Sequence, residues 1–119
     1  MQEKRKFVRI EWPVVVHYKT LVEPFTKDQI ISKNVSETGV LFTVYERLAK
    51  GTRLDMQIQT PFDSLPIFAK GEVVWIKEFE EHRKIFEAGV NFIELNPEDR
   101  KRLKLYIDNE IRQRKSASD

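Results

Sequence analysis

The sequence predicts an all-β fold, a small six-stranded antiparallel barrel, followed by a C-terminal α-helix. Two observations carry this expectation. Through most of the chain before residue 96, apolar residues recur at alternate positions in runs rich in β-branched and aromatic side chains, and turn residues separate the runs. After Asn96 the period lengthens to that of a helix with one apolar stripe. Short antiparallel strands avoid exposed edges by closing on themselves, and an amphipathic helix then packs on the barrel or over one end.

In chain order, FVRIEWPVVVHYK (residues 7–19) is the first long strand. Pro13 inside it signals a bend, a bulge or an edge position, because proline has no ladder donor. QIISKNV (29–35) and GVLFTVY (39–45) follow, joined by the turn SET. LDMQIQ (54–59) puts Leu54, Met56 and Ile58 on one face and Asp55, Gln57 and Gln59 on the other. The stretch from Pro61 to Pro66 reads as a loop. IFAKGEVVWIKEF (67–79) and IFEAGVNFIEL (85–95) flank EEHRK, whose charge marks a hairpin tip. Asn96 is an N-cap, Pro97 suits the first helical position, and Glu98 and Asp99 meet the positive end of the helix dipole. Leu103, Tyr106, Ile107 and Ile111 form the stripe of a helix over 96–115, and the tail SASD is expected to fray.

The chain has 119 residues, enough for one domain with one core. Its apolar and charged fractions, 40% and 34%, are those of a folded globular chain. No apolar run reaches the roughly 20 residues of a membrane helix, and the charged start is unlike a secretory signal. Cysteine is absent, which removes disulfides, thiolate metal sites and thiol nucleophiles. No membrane insertion and a cytoplasmic location are therefore expected.

Charge is unevenly placed. Residues 1–9 carry Lys4, Arg5, Lys6 and Arg9 against Glu3, a local charge of +3, whereas the whole chain is +2 and the remainder −1. In RKFVR, Arg5 and Arg9 are an even number of residues apart, so an extended segment presents both guanidinium groups on one face. Their forked donors match phosphate oxygens and the O6/N7 edge of guanine. A solvated basic arm has the same composition, and both readings stay open on this stretch alone. KNVSETGVLF (33–42) places Asn34, Ser36 and Gly39 around a turn. Asn and Ser bond their own backbone in plain hairpin turns, and they can equally present a donor–acceptor pair to a ligand that Gly39 leaves room for.

Together the two stretches are more specific. An R-x-x-x-R segment followed about 25 residues later by N-x-S-x-x-G at a strand–turn–strand resembles the PilZ family of cyclic di-GMP receptors. Arg5 and Arg9 match the arginines of its first motif, and Asn34, Ser36 and Gly39 match its second. GEVVWI (71–76) and AGVNF (88–92) look like its last barrel strands, so the likeness covers nearly the whole chain. The resemblance implies a PilZ-type barrel over 10–95 preceded by a mobile basic arm over 1–9. It implies that Arg5 and Arg9 bind the phosphates or guanines of cyclic di-GMP, and that Asn34 and Ser36 bind from the barrel face while Gly39 lets the ligand approach. The arm then wraps over the ligand and signals by becoming ordered. Lys4 stands where the family sets binding of one ligand or an intercalated pair, and a cation there favours the pair. Trp75 is a stacking surface or a barrel-rim aromatic. Gly89, like the family's late glycine, lines the pocket or marks a bulge.

The resemblance implies no catalytic residues, no metal, and no cofactor beyond the ligand. It also implies an unidentified downstream protein as partner. His17 and His82 have no metal-ligand spacing, and Glu78, Glu80, Glu81 and Glu87 read as a solvated hairpin. Arg100, Lys101, Arg102 and Lys104 read as the solvated face of the helix. No phosphate loop, nucleophile elbow or dinucleotide fingerprint is present. Two alternatives remain: a PilZ-fold interaction module in pilus or flagellar regulation that binds no nucleotide, and a general single-strand nucleic-acid binder. The weakly acidic remainder of the chain argues against the second, and no nucleic-acid polymer is expected as partner.

Overall fold

The computed structural model describes residues 10–11, 14–22, 25–60, 63–79 and 82–117. Within them lie β1 (Ile10–Glu11), β2 (Val15–Thr20), β3 (Lys27–Val35), β4 (Gly39–Val44), β5 (Arg53–Thr60), β6 (Asp63–Phe79), β7 (His82–Leu95) and α1 (Pro97–Ala117). Every pairing is antiparallel. The sheet runs β1-β3-β2-β5-β6-β7-β4, and a further β3–β4 pairing closes strands β2 to β7 into a six-stranded barrel. The two-residue β1 adds to β3 beside it, through Ile10↔Val35 and Glu11↔Asn34.

Of the strand expected over 7–19, the described residues form β1 and β2, while residues 7–9, Trp12 and Pro13 lie outside them. Ser32 docks the chain just before β2. Its hydroxyl accepts from the Val14 amide at 3.0 Å and its own amide donates to the Val14 carbonyl at 2.9 Å. The loop expected over 61–66 is shorter than that, because β6 already begins at Asp63, opposite Thr60. Pro66 is tolerated there because β6 pairs with β7 only from Ala69 onward, so no β7 strand lies beside its first residues.

Alternation places Val16, Leu54, Met56, Ile58 and Phe42 in the barrel interior, all essentially inaccessible to water. Burying each such side chain contributes about 1.5–3 kcal/mol. Tyr18 stacks on Phe42 with ring centroids 5.7 Å apart. Its hydroxyl donates to Glu46 at 2.9 Å, and burial followed by that acceptor pushes the phenol pKa far up. Glu46 also accepts from the Thr26 hydroxyl at 2.7 Å, tying the β2–β3 connection to the loop after β4.

The helix starts as its caps require. The Asn96 side-chain oxygen accepts from the Glu98 amide at 2.8 Å, and the first i→i+4 bond runs from the Arg100 amide to the Asn96 carbonyl. Leu103, Tyr106 and Ile107 are buried against the barrel and Ile111 is half-buried. The Tyr106 hydroxyl bonds that of Thr60. Arg102 departs from the solvated face expected for it. Its side chain is 21% exposed and binds Asp99 at 3.0 Å, Asp63 at 2.9 Å and the Pro66 carbonyl at 3.3 Å, along with the Leu65 carbonyl. It fastens the start of β6 to the helix.

That clamp gives a pH prediction. The Leu65 amide and then Arg102 hold the Asp63 carboxyl below the ordinary aspartate range. A depressed folded-state pKa adds stability that is full above the unfolded value and is lost as pH falls through the folded one. Asp63→Asn is therefore expected to lower the melting temperature most near neutrality, with the gap to wild type closing as pH falls through the acid limb, which becomes shallower in the variant. Parallel acid limbs for the two proteins would show that the clamp carries no charge-dependent stability.

Candidate functional site

The N-x-S-x-x-G stretch closes β3 onto β4. Ser36 is 1% exposed. Its amide donates to the Gly39 carbonyl at 2.9 Å, its hydroxyl accepts from the Thr38 amide at 3.2 Å, and that hydroxyl lies 3.1 Å from the Thr38 hydroxyl. In this arrangement Ser36 builds the turn. Gly39 is required by the backbone of β7: a Cβ there would lie 2.2 Å from the Val90 carbonyl oxygen. Its bareness serves β4–β7 packing, a demand separate from any room for a ligand.

Two bulges decide what faces outward. On β3, Ser32 pairs with Phe42 and Val35 with Val40, so three residues span what two span on β4. The extra residue shifts the phase of alternation. Ser32 and Val35 both point inward, while Lys33 is exposed and Asn34 half-exposed. On β6, Val73 faces Val90 and Trp75 faces Gly89 with no partner between for Val74. Val73 and Ile76 then face the core, and Trp75 turns out, 39% exposed.

The result is one continuous row across four strands, Asn34↔Leu41, Leu41↔Gly89 and Gly89↔Trp75, with Glu11 of β1 opposite Asn34 at its end. The Trp75 indole lies directly on Gly89, where a Cβ would come within 2.3 Å of its ring nitrogen. Trp75, Leu41 and Gly89 therefore make a flat apolar platform with the Asn34 amide on the same row. Gly89→Ala is expected to lift the indole off the strand. In a Trp12→Phe background, which leaves Trp75 as the sole tryptophan emitter, the fluorescence should then shift to longer wavelength, and an unshifted spectrum would show that the ring does not rest on Gly89.

Sequence reasoning assigned Glu87 to a solvated tip, but it stands on the outer barrel wall. Its side chain is 19% exposed and it bonds Lys33 at 3.2 Å. Period-two counting back from Gly89 would have found its face; the bulge that presents Lys33 had no such signal. His17 is an outward strand residue opposite Gln29 and Gln57. A groove of about 690 Å³ crosses the outside of β2, β5 and β6, among His17, Lys19, Gln57, Phe68 and Lys70, and none of the expected site residues among the described residues lines it. Lys4, Arg5 and Arg9 lie outside the described residues, but Ile10, the next residue in the chain, is paired beside Asn34. Among the described residues no three potential ligands gather into a metal site, and no helix is long and apolar enough to cross a membrane.

A family model, the PilZ domain, matches residues 3–109. No curated protein matches the chain significantly. Among solved structures, the chain is similar to the inhibitor of motility MotI/DgrA of Bacillus subtilis, with a TM-score of 0.73 and 19% identity over 95% of this chain and 54% of that one. It is similar to YcgR of Escherichia coli in complex with c-di-GMP, with a TM-score of 0.76 and 14% identity over 98% of this chain and 50% of that one. MrkH of K. pneumonia, also in complex with c-di-GMP, gives a TM-score of 0.69 and 11% identity over 98% of this chain and 57% of that one. The chain thus spans about half the length of these proteins, and at such identities the likeness is one of fold.

Proposed function

The chain belongs to the PilZ domain family, and from that premise we propose that it is a cytoplasmic, non-catalytic receptor for cyclic di-GMP. The observation that carries this reading is the row from Asn34 to Trp75, which joins the second motif to an aromatic platform at the place where the chain enters from the first motif. The solved neighbours YcgR and MrkH, complexed with c-di-GMP, support the ligand class.

The ligand carries two phosphates and two guanines, so its site needs cations and base-edge donors together. Arg5 and Arg9 supply both, by forked bonds to phosphate or to guanine O6/N7. A guanine stacks on Trp75, which contributes about 1–3 kcal/mol per base. Asn34 bonds a base edge or phosphate from the barrel wall. Ser36 and Gly39 act chiefly by shaping the turn that holds Asn34. The segment bearing the arginines orders over the ligand and changes what a partner protein meets, so the signal is a population shift. Lys4 favours an intercalated pair of ligands.

Isothermal titration of the protein with cyclic di-GMP, GTP and a short RNA tests this. Saturable heat with the cyclic dinucleotide alone is expected, and its plateau reports one ligand or two. A folded barrel that gives no heat would instead favour the interaction-module reading, and salt-sensitive binding of the RNA would favour a general nucleic-acid binder.

A further inference from the structure

Glu87 has no role in the binding surface as described so far. It lies on the outer face of β7, two residues before Gly89, with Thr43 of β4 on one side and Lys77 of β6 on the other. The carboxylate therefore borders the Trp75–Gly89 platform. Its side chain is 19% exposed, and the bond from Lys33 Nζ to Oε2 at 3.2 Å limits its orientation.

A base lying flat on an indole turns its edges toward the neighbours around the ring. The Watson–Crick edge of guanine carries two adjacent donors, N1–H and the N2 amine. An ionised carboxylate is an acceptor-only group with two oxygens, and it complements that edge. Adenine offers an acceptor at N1, and hypoxanthine keeps N1–H but lacks the N2 amine. A bare carboxylate would also repel a ligand with two phosphates; Lys33 beside it cancels its charge while leaving oxygen lone pairs to accept.

We propose that Glu87 reads the Watson–Crick edge of the guanine stacked on Trp75, and that Lys33 is its positioning residue, so that this pair selects guanine over hypoxanthine and adenine. The proposal rests on the cyclic di-GMP reading above. It adds a specificity determinant that neither motif contains.

The experiment compares affinities for cyclic di-GMP and its inosine analogue, which lacks only the two N2 amines, in wild-type protein and Glu87→Gln. Taking the ratio within each protein cancels differences in folded fraction. Wild type is expected to prefer the guanine ligand about ten- to a hundredfold, the contribution of the one N2 hydrogen bond to a charged acceptor that the analogue loses. In Glu87→Gln the ratio should fall towards one. Lys33→Met should narrow it in part, and an unchanged ratio there would overturn the positioning role. Equal ratios in wild type and Glu87→Gln, no preference in wild type, or loss of all binding in Glu87→Gln would each overturn the proposal. Failure of wild type to bind cyclic di-GMP at all would instead remove the receptor reading on which it stands.

Discussion

Replacing Arg5 and Arg9 together by alanine is expected to abolish measurable cyclic di-GMP binding while the barrel stays folded. Hydrogen bonds to charged groups contribute about 1.5–3 kcal/mol each, so two arginines account for roughly 3–6 kcal/mol. That is a loss of about a hundredfold to more than ten-thousandfold in affinity. The single variants should each fall partway. Stability is expected to move little, because among the described residues the core comes from strands β2 to β7, their connections and the helix. Titration calorimetry with a parallel urea melt separates the two effects. Unchanged affinity in the double variant, or a matching loss of stability, would remove these arginines from the site.

Gly39→Ala is expected to act in the opposite way, on the fold first. The added Cβ would lie 2.2 Å from the Val90 carbonyl oxygen and 3.3 Å from the Asn91 Cα, both backbone atoms that no rotamer change can move aside. Relief requires parting β4 from β7 at the Gly39↔Asn91 pair, beside the bond from the Phe92 amide to the Thr38 carbonyl. Overpacking of this kind costs about 3 kcal/mol, the upper part of the usual range. A lower urea midpoint with an unchanged m-value is the expected reading. If Gly39→Ala instead kept wild-type stability and lost only ligand affinity, the glycine would be serving the ligand and not the sheet.

The two variants mark where sequence reasoning reaches and where it stops. Alternation in LDMQIQ gave the correct inward face, because Leu54, Met56 and Ile58 lie in an unbroken stretch of β5. The helix start at Asn96 was readable from its cap. Arg102 was misread, since a basic residue on a helix reads as solvated until the carboxylates of Asp63 and Asp99 and the carbonyls of β6 are known to surround it. Glu87 was misread for a related reason. Its neighbours in sequence belong to a charged hairpin, whereas Lys33, its partner in space, comes from another strand.

By itself the sequence determined the strand-rich class, the closing helix and the pair of motifs, because these depend on period, caps and local residue order. The tertiary structure decided which side chains share the surface. Bulges at Lys33 and Val74 each shift the alternation by one residue, and without them Asn34 and Trp75 would face the core. A bulge is set by how two strands register against each other, a relation between distant segments that neither segment encodes alone.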